Sequence, residues 1–300
     1  MVKPNFFIVG APKTGTTALY EYLSHHPNVY FPKKTIYYFC HDLTFRTPPI
    51  PESVYLNFFK GEHKQKAIGD GSVFYLLSPG AAQKIKDFNP EAKIIIMLRN
   101  PVQMVYSLHT ENLSNGDDYI EDFEEALNAE GSRREGKRIP PHHNAPLEAV
   151  FYSEVAKFYE QVLRYKTVFG DDNVHIIFFD DFKADTAKEY FKVLKFLGLE
   201  EIMPPSLEVV NPSKVPRSKA YLKFLLSPPG FIKAAGRALF PHHSLRREKV
   251  IDFLWNLNRK YVPRKPISDK LKQRLIDIYK DDIEKLGKLL NRDLSDWTKM

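Results

Sequence analysis

Cysteine is almost missing from this sequence: among 300 residues only Cys40 is one, so no intrachain disulfide can form. A single thiol suits a reducing compartment. Beside aromatic residues it reads as a small buried hydrophobe, not a nucleophile. Long apolar runs are missing too. Nothing approaches the ~18 residues of a membrane span. The opening Met1-Val-Lys-Pro-Asn5 leads into a short apolar run, without the apolar stretch of a secretory signal. The chain therefore reads as cytoplasmic, with peripheral contact the most a membrane would offer it. There is no Gly/Ser linker, repeat or low-complexity tract, so one domain over residues 1–300 is expected. Metal-ligand spacings, zinc-finger patterns and Lys/Arg blocks of the nucleic-acid-arm kind are absent as well. Neither a dedicated metal centre nor a nucleic-acid partner is expected. The formal net charge of +7 favours anionic ligands without choosing among them.

What is present is alternation of strands and helices. Phe6–Val9 is a short apolar run followed at once by Gly10, the pattern of a buried parallel strand. Leu19, Tyr22 and Leu23 then recur at helical spacing as far as His26-Pro27. Lys93–Leu98 (KIIIML) reads as a second buried strand, and Asn100-Pro101 as the start of a helix carrying Val102, Val105 and Leu108. Val174–Phe179 is a third strand. Asp185 can cap a helix that ends at Leu197 before Gly198. Amphipathic helices are expected over 148–169 and 268–290. Residues 131–146 and 206–216 read as exposed loops. The fold class is α/β: a single P-loop-like domain with a central, mainly parallel sheet flanked by helices.

Gly10-Ala-Pro-Lys-Thr-Gly-Thr-Thr17 follows the first strand with the GxxxxG spacing of a phosphate loop. Backbone N–H groups at a helix N-terminus hold an anion, and the glycines permit the turn. A Walker A loop carries Lys and Ser/Thr after its second glycine. Here Thr16 and Thr17 stand there, and the lysine comes earlier, at Lys13. Its ammonium is delivered from the loop, where it could meet the bridging oxygen at a nucleotide's 5′ end. The competing reading is a structural glycine turn. Arg99 ends the second buried strand, where α/β folds place ligand groups, and its planar fork suits phosphate. Ser107, two turns down the following helix, can add a hydroxyl to the same group. A surface ion pair and a solvated helix position are the plain readings of these two residues taken singly.

With these segments in place, the sequence resembles the 3′-phosphoadenosine 5′-phosphosulfate (PAPS)-dependent sulfotransferase superfamily, in its bacterial and heparan-type branch. Pro12-Lys-Thr-Gly-Thr-Thr17 is similar to the family's 5′-phosphosulfate loop, and Leu98-Arg-Asn-Pro-Val-Gln-Met-Val-Tyr-Ser107 to its 3′-phosphate motif. Gly69–Tyr75, Asn211–Ser218 and Leu289–Trp297 resemble further family segments. The resemblance implies sulfuryl transfer from PAPS to a hydroxyl or amine of a carbohydrate or other small acceptor, releasing PAP, without a metal. It implies cofactor contacts from Pro12, Lys13, Thr14, Gly15, Thr16, Thr17, Arg99, Ser107 and Arg217. It gives Lys13 the leaving oxygen.

The family's general base is a glutamate in a Lys-Glu-x-x-Phe/Tyr-Phe segment after the first helix. Here the segment reads Lys33-Lys-Thr-Ile-Tyr-Tyr-Phe39, with Thr35 at the glutamate position. Threonine is no base at neutral pH. Asp70 at a strand end is the first replacement, against a turn-capping role; His41 and His109 follow. A variant without its base, and a PAPS-binding protein with impaired catalysis, stay open. On the acceptor side, Tyr30, Phe31, Tyr37, Tyr38, Phe39 and Phe45 offer either a stacking wall or core packing. Residues 206–245 offer either an acceptor-side lid or a packed hairpin. A P-loop kinase or NTPase is the competing enzyme class, with Ile176-Ile-Phe-Phe-Asp180 as its Walker B strand.

Overall fold

Five strands lie side by side in the order β2-β3-β1-β4-β5, every neighbouring pair parallel. They are β1 (Phe6–Gly10), β2 (Val29–Tyr30), β3 (Ala67–Asp70), β4 (Lys93–Leu98) and β5 (Val174–Phe178). The structure, a computed structural model, describes residues 2–61, 64–207, 214–230, 232, 250, 253–255, 257–261 and 266–300. The helices that carry the argument are α1 (Thr16–Ser24), α2 (Pro101–Asn115), α3 (Glu130–Arg134), α4 (Phe158–Phe169), α5 (Phe179–Ala184), α6 (Thr186–Leu197), α7 (Lys219–Leu226) and α8 (Asp269–Leu290). A two-stranded antiparallel ribbon pairs Lys214–Pro216 with Arg259–Tyr261.

The strand period of two divides the core. Phe7, Val9, Ile94 and Ile96 face one layer, with Phe158, Val162 and Tyr165 of α4 and Leu275 and Tyr279 of α8. Phe6, Ile8, Ile95 and Met97 face the other, with Leu19 and Leu23 of α1 and Tyr190 and Val193 of α6. Burying each such side chain contributes about 1.5–3 kcal/mol, so β1 and β4 are apolar on both faces because both faces are covered. From β1 the chain crosses toward β3 on one side; β4 and β5 lie on the other. The turns after β1 and β4 therefore splay apart over the sheet's carboxyl edge, the place where such folds bind ligands.

Local signals set several boundaries. Asn100 accepts from the Val102 and Gln103 amides at 3.0 and 3.4 Å, starting α2, and Gly116 ends it at φ +76°. Asp185 caps α6 through Lys188 N at 2.9 Å, and Gly198 closes it at φ +71°. Ser268 caps α8.

Other expectations change. The helix expected over 148–169 is broken. A 3₁₀ turn at Leu147–Val150 comes first and α4 begins only at Phe158. Its first amides, Phe158 and Tyr159, donate to Asp282 of α8 at 2.7 and 3.1 Å. That cap lies far along the chain and leaves no local sequence signal. Nor is 131–146 wholly a loop. Its first residues belong to α3, where the fully buried Arg133 donates to Asp118 at 2.6 Å and to the Val150 carbonyl at 2.9 Å. The loop expected over 206–216 ends in a strand, Lys214–Pro216. In the 206–245 lid, α7 is helical, while 208–213, 231 and 233–245 lie outside the described residues.

Candidate active site

The loop after β1 is shaped by two glycines. Gly10 has φ +151°, and a Cβ there would lie 2.6 Å from the Val73 carbonyl oxygen. Gly15 has φ +94° and stands at the head of α1 with no side-chain cap. The first amides of α1 are thus left to whatever enters the cavity in front of them. Between the glycines, Thr14 is buried and donates its hydroxyl to the Ala11 carbonyl at 2.7 Å, stapling the loop. Its side chain therefore turns away from the ligand side. Lys13 sits at φ +63°, a left-handed conformation rare outside glycine. Its ammonium lies 3.1 Å from Glu111 of α2.

The second wall comes from β4 and α2. Arg99 donates to the Lys13 carbonyl at 3.2 Å and to Gln103 Oε1 at 3.2 and 3.3 Å, and its guanidinium lies 4.3 Å from the Phe179 ring centre. Ser107 is 1% exposed, and its Oγ has no hydrogen-bond partner among the described residues. An orphaned buried hydroxyl costs roughly 1–3 kcal/mol, and a phosphate oxygen beside Arg99 would satisfy it. Pro12, Lys13, Gly15, Thr16, Thr17, Arg99 and Ser107 all line one cavity of about 510 Å³. The residues present fit a ligand with anionic groups at two ends.

The third wall contains groups the sequence reading passed over. Lys34 reaches Thr17 Oγ1 and lines the same cavity. Burial pushes its ammonium down to about 8, against the pull of Glu111 and with the push of Lys13. Thr35 and Tyr37 stand beside it, and burial raises the Tyr37 hydroxyl. Asp117, raised by burial, accepts from the Asn144 and Ala145 amides at 2.5 and 3.3 Å. Ser107 and Glu111 are four apart on α2 and so share a face. That spacing was the readable sign of Glu111.

Four expected groups lie elsewhere. Asp70 is 0% exposed and does not line the cavity. Its register partner is Phe7, so it shares Phe7's face and enters the core. There it accepts from Tyr55 OH (3.0 Å), Tyr75 OH (2.8 Å), Ser72 N (3.1 Å) and Ser72 Oγ (2.5 Å). Burial raises its carboxyl while those donors lower it. His109 is 2% exposed, with Nε2 2.8 Å from the Ile120 carbonyl, and burial lowers it. His41 lies outside the lining, packed on Phe45, and Arg217 is exposed beside the ribbon, outside the lining as well. Of the aromatic stretch only Tyr37 reaches the cavity; Phe39 is core, and Tyr38 stacks on Tyr55 at 4.3 Å. Asp180, the Walker B candidate, is exposed on α5 and outside the cavity.

Fold and cavity together define an α/β protein with Lys13, Lys34 and Arg99 gathered in one cavity at the ends of two adjacent parallel strands. Residues 3–210 match the Sulfotransferase domain family, and the chain belongs to it. A sulfotransferase crystal structure from Alicyclobacillus acidocaldarius aligns over 100% of both chains with TM-score 0.73 and 28% identity. The Membrane-associated sulfotransferase kil1 of Dictyostelium discoideum is 33% identical over 101 residues, 33% of this chain and 21% of that protein. Heparan sulfate glucosamine 3-O-sulfotransferase 5 of Mus musculus is 26% identical over 211 residues, 69% of this chain and 56% of that protein. The chain thus spans less than two thirds of the length of these curated relatives.

Proposed function

We propose that this protein moves the sulfuryl group of PAPS to a hydroxyl or amine of a carbohydrate or other small acceptor, leaving PAP. The observation that carries this reading is the buried, partnerless Ser107 Oγ, which opens with Arg99 onto the same cavity as Lys13 and the uncapped start of α1. Arg99 and Ser107 hold the 3′-phosphate. The amides at Gly15–Thr17 hold the 5′-phosphosulfate, and Lys34 adds a second cation at Thr17. Lys13 meets the charge that gathers on the leaving bridging oxygen, so positioning and electrostatics supply most of the rate. A carbohydrate acceptor is favoured by the heparan sulfate 3-O-sulfotransferase among its relatives and by amide-bearing Asn115 and Asn144 on the cavity wall.

The kinase alternative loses its main support with Asp180 exposed outside the cavity. No described helix is long and apolar enough to cross a membrane. A cytoplasmic site of action is part of the proposal, consistent with the single buried thiol of Cys40; fractionation of cells tests it.

The test is calorimetric titration with PAP, followed by transfer from ³⁵S-labelled PAPS to a panel of glucosamine oligosaccharides, phenols and amines in excess EDTA. Labelled acceptor is expected. PAP that does not bind, or transfer that requires Mg²⁺, refutes the reading. Lys13→Ala should depress transfer by ~10²-fold or more with a smaller effect on PAP affinity. Arg99→Ala should weaken PAPS and PAP binding together.

A further inference from the structure

The sulfuryl-transfer reading requires a group that takes the acceptor's proton, and position 35 holds a threonine. The geometry points to Glu111 of α2 as that proton acceptor: the carboxylate absent from the first-helix segment is supplied across the cavity by the helix that carries Ser107. The inference rests on the proposed function above.

Two carboxylates line the cavity among the described residues, Glu111 and Asp117. Asp117 is 4% exposed and committed to the amides of Asn144 and Ala145, which fixes that segment against α2. The Glu111 side chain is 40% exposed and pairs with Lys13 Nζ at 3.1 Å. It therefore lies beside the residue that faces the bond to be broken and is open to an incoming acceptor. Asp70, His109 and His41 are sealed or remote, as described. Thr35 lines the same cavity as Glu111 without filling it with a second carboxylate. The arrangement gives Lys13 and Glu111 two states. One is the ion pair with each other at 3.1 Å. When the phosphosulfate occupies the loop, Lys13 turns to its bridging oxygen and Glu111 is released to the acceptor.

The step balances without any further reactant. The acceptor oxygen or nitrogen forms a bond to sulfur, and its proton passes to the Glu111 carboxylate. The bond from sulfur to the bridging oxygen breaks. Its electron pair stays on that oxygen, now part of the 5′-phosphate of PAP, where the Lys13 ammonium faces it.

Glu111→Gln keeps the shape and removes the base. With the acceptor that wild type labels best, turnover should fall roughly 10²–10⁴-fold, the usual yield of positioned acid–base catalysis. PAP affinity, measured by calorimetry, should stay within about threefold or tighten, because a negative charge has left the neighbourhood of an anionic ligand. Turnover within about threefold of wild type, or a loss of PAP affinity as large as the loss of rate, overturns the assignment. So does a larger rate loss in Asp117→Asn than in Glu111→Gln. Wild type that binds PAP but labels no acceptor fails the parent reading instead, and this one with it.

Discussion

Replacing Asp70 tests whether a carboxylate at a strand end serves the fold or the chemistry. It accepts four hydrogen bonds, from two tyrosine hydroxyls and from the amide and hydroxyl of Ser72, inside a fully buried site. Asp70→Ala leaves four donors without their acceptor. At ~1–3 kcal/mol per unsatisfied buried group the gross loss is several kcal/mol. Relief from burying a carboxylate offsets part of it, and breaking a buried charged network typically nets ~3–5 kcal/mol. At about 2–4 °C per kcal/mol for a domain of this general size, the midpoint should drop by roughly 6–20 °C. Asp70→Asn keeps one acceptor oxygen, and the rotatable hydroxyls can accept from its amide, so ~1–2 kcal/mol is expected. Burial raises the Asp70 carboxyl, so the folded protein holds this proton more tightly than the unfolded chain. The stability advantage of wild type over the asparagine variant is therefore full at acid pH and shrinks as pH rises through the folded value. Thermal unfolding by circular dichroism, PAP titration and turnover at a permissive temperature should be read together. An asparagine variant with an unchanged midpoint and a hundredfold loss of turnover would refute the structural assignment.

The Lys34 ammonium should make PAP affinity fall above about pH 8, by up to about tenfold per unit, while Lys34→Arg, whose charge persists, should flatten the profile in calorimetry. The same depressed value means that the free protein gains stability as pH climbs from there toward the usual lysine range, and the arginine variant should lose this rise. Ser107→Ala should weaken PAP by about 2–10-fold, one hydrogen bond's worth, yet leave adenosine 5′-phosphosulfate, which lacks the 3′-phosphate, unaffected. Arg133→Met strands the fully buried Asp118 and should cost ~3–5 kcal/mol in denaturant unfolding, with PAP affinity retained at low temperature.

The segments readable in the sequence are those whose determinants are local. β1, β4 and β5 are apolar runs bounded by Gly10, Asn100-Pro101 and polar turns, and the anion loop follows from its spacing. Lys13, Arg99 and Ser107, far apart in sequence, meet in one cavity because β1 and β4 are neighbours. The failures share a cause, dependence on partners distant in sequence. Asp70 looked like a strand-end ligand until its register with Phe7 turned it inward. The start of α4 was hidden because Asp282 caps it, and the stretch holding Arg133 read as an exposed loop because its partner Asp118 lies outside it. Glu111 and Lys34 come from elements distant in sequence, and their approach to Lys13 and Thr17 is a product of packing.

The hydrogen bond from Arg99 to the Lys13 carbonyl ties the two ends of the nucleotide site to one another. On the proposed reading, the guanidinium assigned to the 3′-phosphate also braces the loop assigned to the 5′ end. Contributions from the two ends are then not additive: stripping the 3′-phosphate from a nucleotide alters how firmly Lys13 is held over the bond it helps to break. If the proposed roles hold, discrimination between PAPS and simpler adenylates is expected in turnover as well as in affinity.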